Sequence, residues 1–136
     1  MNLVHGTLKQ ERDAVTFSET GDGTIAIRLP SSSFARANEL AGRAIILGFR
    51  PDAVEIAASP QEGGRSGATF RALVERSEPK GTGTDLYLRT GAHQLICRSR
   101  RWVGQGDGGH RFQFEIEPEK VHLFDPVSGR RLMLGP

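Results

Sequence analysis

The segment His110-Arg-Phe-Gln-Phe-Glu-Ile116 alternates apolar and polar side chains without interruption. A period of two places Phe112, Phe114 and Ile116 on one face of an extended chain and the polar side chains on the other, which is the pattern of a half-buried β-strand. The same period recurs along the chain, and helical periodicity is rare. We therefore predict a fold built mainly from short β-strands.

Turn-forming residues separate the other strand candidates. Gly21-Asp-Gly23 and Thr90-Gly-Ala-His93 are typical of the tight loops of β-hairpins. One short helix is predicted at Ser33–Leu40, because Ser31–Ser33 offer N-cap oxygens and Gly42 offers a C-terminal stop. The remaining predicted strands are Thr24–Leu29, Ala44–Leu47, Ala68–Glu75, Asp85–Arg89, Gln94–Arg98 and Val121–Phe124. Many short strands with little helix predict an all-β barrel or sandwich.

The size of the chain, 136 residues, is that of one domain that can bury an ordinary core. The Pro/Gly/Ser-rich segment Ser59–Gly67 is typical of a surface loop, and it divides residues 1–136 into two lobes, roughly 1–58 and 67–136. Eighteen basic residues against sixteen acidic ones leave little net charge, so we expect no nucleic-acid partner. Absence of an apolar run of about 20 residues indicates a soluble, cytoplasmic protein.

Motifs for catalysis or for a cofactor are absent. Gly104–Gly109 matches G-x-G-x-x-G, but a strand rather than a helix follows it, so a hairpin loop explains the glycines better. No G-x-x-x-x-G-K-[ST] phosphate loop is present, and the four histidines lack metal-ligand spacing. The single cysteine, Cys97, excludes an internal disulfide and is expected to be a small core residue. We predict a protein that is not an enzyme and has no catalytic residue, metal or cofactor.

Two phrases have residues with specific mechanical uses. In Gly48-Phe-Arg-Pro-Asp52, Pro51 ends a buried strand and leaves Arg50 at the strand end, where it can pair with Asp52 or Asp125. In His122-Leu-Phe-Asp-Pro126, apolar Leu123 and Phe124 stand between polar His122 and Asp125 before a turn. Either these residues hold strand ends together or they form a partner-contact surface. The structural and contact candidates are Gly48, Arg50, Pro51, Asp52, His122, Phe124 and Asp125.

Both phrases resemble the C-terminal regulatory domain of the ATPase subunits of carbohydrate ABC importers, of the maltose and sn-glycerol-3-phosphate type. The matching segments are Met1–Gly6, Leu47–Asp52, Ala72–Glu75, Leu86–Leu88 and Val121–Leu132, in the family's order. The resemblance implies an OB-like (TOBE) barrel. The chain departs from the family at Arg76–Thr84, which is longer and carries Pro79, and it contains no counterpart of the ATP site.

The resemblance implies an accessory role. The expected partners are the nucleotide-binding domain of an ABC ATPase and a second copy of the domain, which would place the protein indirectly at the inner face of the membrane. The alternative is a TOBE module that binds a small oxyanion such as molybdate, or a sugar phosphate, at Ser31–Ser33 or Gly81–Thr84. We also expect Arg50 and Asp125 to organise the junction between the lobes, so that Arg50→Glu lowers the melting temperature.

Overall fold

The computed structural model describes residues 1–11, 14–29, 40–57, 68–102, 104 and 110–132. This part of the chain is built almost entirely from antiparallel β-strands. The strands are β1 Asn2–Glu11, β2 Ala14–Glu19, β3 Ala26–Leu29, β4 Ala44–Phe49, β5 Val54–Ile56, β6 Thr69–Lys80, β7 Gly83–Arg89, β8 Gln94–Ser99, β9 His110–Ile116 and β10 His122–Phe124. Short 3-10 turns at Pro51–Ala53 and Pro118–Lys120 precede β5 and β10.

Each half of the chain builds most of one sheet and contributes one short strand to the other sheet. The first sheet has the order β10-β4-β1-β2-β3, and the second has the order β5-β9-β6-β7-β8. β5 follows β4 in the chain but pairs with β9, whereas β10 follows β9 but pairs with β4. The two sheets therefore have the same topology, and each is completed by a strand from the other half.

A sequence pattern repeats at the two points of exchange. Leu47–Val54 and Phe114–Val121 share the order apolar, any, apolar, charged, Pro, acidic, any, Val. Pro51 and Pro118 each open the 3-10 turn. Proline lacks the amide donor that would continue a strand ladder, and its fixed φ suits the first position of a helical turn. The same local chemistry therefore ends β4 and β9 and directs the chain into the opposite sheet.

The interior is one hydrophobic cluster to which both halves contribute. In β1 the inward positions are the even-numbered ones, and Val4 and Leu8 are almost fully buried there. Asn2 is also buried, and its side-chain amide donates to the carbonyl oxygen of Ile96 and accepts from the Ile96 amide, both at 2.8 Å. A Cβ at Gly6 would overlap the Ser18 carbonyl oxygen. Asn2 thus occupies a core position because its amide is fully paired with Ile96, and Gly6 occupies one because there is no space for a side chain.

The all-β prediction is confirmed, and the barrel is nearly closed around the cluster. The structure has a strand at each predicted position, and it joins β7 to β8 across the predicted loop at residues 90–93. The predicted helix at residues 33–40 lies outside the described residues except for Leu40, as do the loop at 59–67 and most of 104–109. The division into lobes 1–58 and 67–136 stays a prediction. In the described residues no helix is long and apolar enough to cross a membrane.

Candidate functional site

The two sequence phrases meet in the first sheet. β10 lies antiparallel to β4, with His122 opposite Gly48 and Phe124 opposite Ile46. The Phe124 ring covers the outer surface of Gly48, since a Cβ built on Gly48 would lie 2.7 Å from the Phe124 Cε2 atom. Three of the predicted contact residues are therefore neighbours on one outer face, although Gly48 is 74 or more positions from His122 and Phe124 in the chain.

An apolar surface forms around Gly48, and we call Met1, Leu3, Gly48 and Phe124 the Gly48 patch. Leu3 lies opposite Gly48 on the neighbouring strand β1. A Cβ on Gly48 would lie 3.1 Å from the Met1 Sδ atom and 3.3 Å from the Leu3 Cδ2 atom, so these side chains converge there. Met1 and Leu3 are nevertheless 63% and 50% exposed. Exposed apolar side chains that gather on one surface are typical of interaction sites.

A groove of 510 Å³ adjoins the Gly48 patch on the side of the second sheet. The first residues of β1 form one wall, and the outer surfaces of β6, β7 and β8 form the rest. Inside it the Arg76 guanidinium lies 3.7 Å from the centre of the Tyr87 ring, the geometry of a cation–π contact. The lining residues are Met1, Asn2, Leu3, Glu75, Arg76, Tyr87, Leu88, Gln94, Leu95 and Ile96. Met1 and Leu3 belong to both the Gly48 patch and the groove, so the two surfaces adjoin.

Of the two carboxylates predicted as possible partners of Arg50, the structure places Asp52 beside it and not Asp125. The Arg50 Nε atom lies 3.8 Å from the Asp52 Oδ1 atom, and these side chains are 74% and 61% exposed. Asp125 instead organises its own turn: its Oδ1 atom accepts from the Val127 amide at 2.8 Å, and its backbone amide donates to the Arg130 carbonyl oxygen at 2.8 Å. A carboxylate that accepts from the amide two residues later is a common turn stabiliser. Arg50 is therefore a surface residue.

The other two candidates have structural positions. Pro51 begins the 3-10 turn after β4. His122 lies beside Phe124, with ring centroids 6.5 Å apart, and its Nδ1 atom is buried without a hydrogen-bond partner in the described part of the chain. Because that nitrogen faces inward, any contact of His122 with a partner must use the remainder of its ring.

A buried carboxylate that sequence reasoning missed joins the two halves. The Glu19 side chain is fully buried, and its Oε1 atom accepts from the Ile25 amide at 3.0 Å. Its Oε2 atom accepts from the Thr90 hydroxyl and from the His93 Nδ1 atom, both at 2.5 Å. The His93 Nε2 atom in turn accepts from the His5 amide at 3.0 Å, so this tautomer carries its proton on Nδ1. One side chain thus ties the β2–β3 turn to the β7–β8 loop.

A second carboxylate, that of half-buried Glu55, also accepts from several donors in the second sheet. The Glu55 Oε2 atom accepts from the Ser99 hydroxyl at 2.5 Å and from the Ile56 amide at 2.8 Å. Its Oε1 atom accepts from the Arg100 amide at 2.8 Å. Glu55 therefore fixes β5 to the end of β8.

One sequence feature could have revealed the buried Glu19. It is a charged residue at an inward position of β2, two and four positions after the buried residues Phe17 and Val15.

The structure gives no catalytic arrangement in the residues it describes. Burial raises the pKa of the Cys97 thiol far above its usual range, and the Sγ atom points at the Val54 carbonyl oxygen at 3.2 Å. A thiol held in its protonated form is a poor nucleophile. No group of three His, Cys, Asp or Glu side chains in the described ranges could hold a metal ion.

The two serine- and glycine-containing clusters that were oxyanion candidates have different outcomes. Ser31–Ser33 lies outside the described residues. Gly81–Thr84 contains the turn of the β6–β7 hairpin, in which Lys80 pairs with Gly83 and Pro79 pairs with Thr84. The long segment that contains Pro79 is thus an extension of a hairpin.

Comparisons with known proteins agree with this architecture. The model of the TOBE domain family matches residues 47–124, more than half of the 136 residues. No match was found among curated proteins. Among solved structures, a crystal form of ModG, a cytoplasmic molybdate-binding protein, with molybdate bound, has a TM-score of 0.66 at 18% sequence identity. The alignment covers 92% of this chain and 96% of that chain. At this identity the likeness shows a shared fold.

Proposed function

The chain belongs to the TOBE domain family, and from this premise we propose that it is a non-catalytic regulatory domain that binds a partner protein. The proposed partner is the ATP-binding subunit of an ABC-type importer. This chain contains no phosphate loop, so ATP hydrolysis would belong to the partner.

The Gly48 patch is the observation that carries this proposal. Met1 and Leu3 are large apolar side chains at 63% and 50% exposure, and they converge with Phe124 over a glycine. The cores of protein interfaces are depleted of charged residues and enriched in aromatic residues and Met. The adjoining 510 Å³ groove gives the patch a concave neighbour into which a partner side chain can insert.

The carbohydrate-importer type is the finer part of the proposal, and it rests on sequence. Met1–Gly6, Leu47–Asp52 and Val121–Leu132 resemble that family. These segments include every residue of the Gly48 patch, so the residues that carry the resemblance also supply the proposed contact. A second copy of the domain is the other proposed occupant, because an apolar patch can pair with its own copy across a two-fold axis.

The test is a binding measurement with a matched pair of variants. The chain is titrated against the ATP-binding domain of a carbohydrate importer from the same genome by isothermal titration calorimetry, and its self-association is measured by sedimentation velocity. Leu3→Glu places a charge in the Gly48 patch. Val127→Glu is the control, because Val127 is 95% exposed and lies in the turn after β10.

We expect Leu3→Glu to weaken binding at least tenfold, since a charge is costly at the apolar centre of an interface. Val127→Glu should bind as the wild type does. Both variants should keep the wild-type melting temperature. If the wild type neither binds the ATP-binding domain nor self-associates, the proposed function is wrong; if Leu3→Glu and Val127→Glu bind equally well, the patch is the wrong surface.

Small-ligand binding is the second candidate function. It is supported by the likeness in fold to a molybdate-binding protein over nearly the whole of both chains. The donor groups around Glu19 and Glu55 are already occupied by those carboxylates, so an oxyanion needs other donors. Calorimetry with molybdate, tungstate, sulfate and a sugar phosphate tests this candidate, and no heat with any of them would exclude it.

A further inference from the structure

A second hollow of 260 Å³ lies against the second sheet. It shares no lining residue with the groove beside the Gly48 patch. The strands β5, β6 and β9 run side by side beneath it. Its lining residues are Ile56, Ala57, Arg71, Arg111, Phe112 and Gln113.

The strand register brings two arginines together in this hollow. Arg71 on β6 lies opposite Gln113 on β9, and Arg111 lies opposite Leu73. Odd-numbered positions of both strands face outward, so Arg71 and Arg111 are diagonal neighbours on one face. Diagonal neighbours of an antiparallel pair are about 7–8 Å apart. Arginine side chains are long, so guanidinium groups that project from residues at that separation can both reach one small anion.

Hydrogen bonds from other segments hold the backbone of Arg71 and of its neighbour Gln113. The Arg71 carbonyl oxygen accepts from the Thr24 hydroxyl at 2.5 Å, a contact from the first half of the chain. The Gln113 carbonyl oxygen accepts from the Ala57 amide at 2.8 Å, which extends the pairing of β5 with β9. The donors of the hollow therefore project from strands with further backbone hydrogen bonds, and a supporting arrangement of this kind favours precise ligand binding.

Among the described residues, the charges around the hollow are unbalanced. Within the described ranges, no Asp or Glu lines the hollow, and neither Arg71 nor Arg111 lies within 4.0 Å of a carboxylate oxygen. Glu115 is the next outward residue of β9 beyond Gln113, and it lies opposite Thr69. Elsewhere on the same sheet, Arg89 is paired with a carboxylate. Two neighbouring cations without a paired anion repel each other, and a bound dianion would remove that repulsion.

We propose that this hollow binds the phosphate group of a small ligand, with Arg71 and Arg111 as its anion-binding residues. The planar fork of arginine matches phosphate oxygens and donates to them in pairs. The Gln113 side-chain amide supplies a further donor. Phe112 and Ile56 give the hollow an apolar side for the carbon atoms of the ligand. The volume is below the 300–1,000 Å³ usual for larger ligands, which limits the ligand to about the size of a sugar phosphate.

This inference rests on the small-ligand candidate of the proposed function, and it adds a location and a ligand class. The partner-contact function is independent of it, because the Gly48 patch lies elsewhere on the molecule. The probes are inorganic phosphate and glucose 6-phosphate, which separate free phosphate from a phosphate ester as the source of the bound group. Glucose provides the uncharged comparison.

The experiment is calorimetry at low ionic strength with the wild type, Arg71→Gln, Arg111→Gln and the double variant. Arg28→Gln is the matched control, since Arg28 is an exposed strand arginine of the other sheet. We expect each single variant at the hollow to weaken phosphate binding about tenfold and the double variant to abolish it. Arg28→Gln should bind as the wild type does, and glucose should give no heat. Melting temperatures of all variants verify that they fold.

The outcomes separate the site from the function. Tighter binding of glucose 6-phosphate than of inorganic phosphate would support a phosphate ester as the ligand, and equal binding would support free phosphate. Phosphate binding that survives the double variant would overturn the hollow as the site and leave the small-ligand candidate standing. No heat with either phosphate would overturn the inference, and the separate titrations with molybdate, tungstate and sulfate would then decide the small-ligand candidate.

Discussion

Replacement of Glu19 by alanine should destabilise the protein by about 3 kcal/mol. The substitution removes the acceptor of three donors, and a buried donor left unpaired costs about 1–3 kcal/mol. The Ile25 amide is the largest contribution, because Ile25 is 1% exposed and its amide has no alternative in the described part of the chain. The His93 ring is 15% exposed and can turn to water, and the Thr90 hydroxyl keeps a weak contact at 3.4 Å with the His93 carbonyl oxygen. These two donors together add about 1 kcal/mol.

The matched control is Glu75→Ala. Glu75 is also paired, its Oε2 atom lying 2.9 Å from the Arg89 Nε atom, but its side chain is 35% exposed. An ion pair in contact with water contributes at most about 1 kcal/mol. A loss of 3 kcal/mol lowers the melting temperature of a domain of this size by roughly 10 °C. The control should change it by no more than a third of that.

Urea unfolding is the assay, followed by the fluorescence of Trp102, the single tryptophan, and by circular dichroism. Equal slopes of the free energy of unfolding against urea concentration for wild type and variants would show that only stability has changed. A double-mutant cycle with His93→Ala should give a coupling above about 0.5 kcal/mol, because the two side chains are in direct contact. If Glu19→Ala costs no more than Glu75→Ala, the network does not hold the two turns together.

Three further predictions concern single positions. Gly48→Ala should lower the free energy of unfolding, measured in urea, by about 1–3 kcal/mol, because its Cβ would lie 2.7 Å from the Phe124 ring. Gly81→Ala, whose Cβ would meet open space, should cost less than about 1 kcal/mol, and equal costs would contradict the close packing at Gly48. In the folded protein at pH 8, Cys97 should not react with a disulfide reagent, and it should react only on unfolding, since burial raises the pKa of its thiol. Fast labelling of the native protein would instead show an accessible thiol. Arg50→Glu should leave the melting temperature within about 3 °C of the wild type, because the ion pair with Asp52 is exposed, and a large drop would restore a structural role for Arg50.

Sequence reasoning located strands by alternation, as in His110–Ile116, and in one case by the continuous apolar run Ala44–Leu47, but it did not predict β2. His110–Ile116 has an unbroken period of two, and β9 has those bounds. β1 shows the limit of the method. Its inward positions include Asn2 and Gly6, which are polar or lack a side chain, so the alternation is hidden although the strand is ten residues long. Asn2 is buried only because the edge of β8 offers it a backbone partner 94 positions away.

In the candidate site, too, the sequence identified individual residues, and only the pairing of distant strands showed which of them are neighbours. Gly48 and Phe124 were recognised as parts of two phrases, and only the pairing of β4 with β10 makes them neighbours. The sequence allowed two carboxylate partners for Arg50, Asp52 and Asp125. The tertiary structure pairs Arg50 with Asp52, and Asp125 accepts a hydrogen bond within its own turn. The pattern shared by Leu47–Val54 and Phe114–Val121 is weak as a sequence repeat, because the two segments have the same order of residue classes but few identical residues.

By itself the sequence determined the all-β class and the family phrases, because period-two alternation, turn residues and proline positions act over a few neighbouring residues. The tertiary structure alone decided that the halves exchange strands and that Glu19 is buried among donors supplied by residues 71 and 74 positions away. It also decided that Arg71 and Arg111 share one hollow. The physical reason is that side-chain direction follows from the local backbone, whereas strand register and the hydrogen-bond partner of a buried charge depend on packing between distant segments.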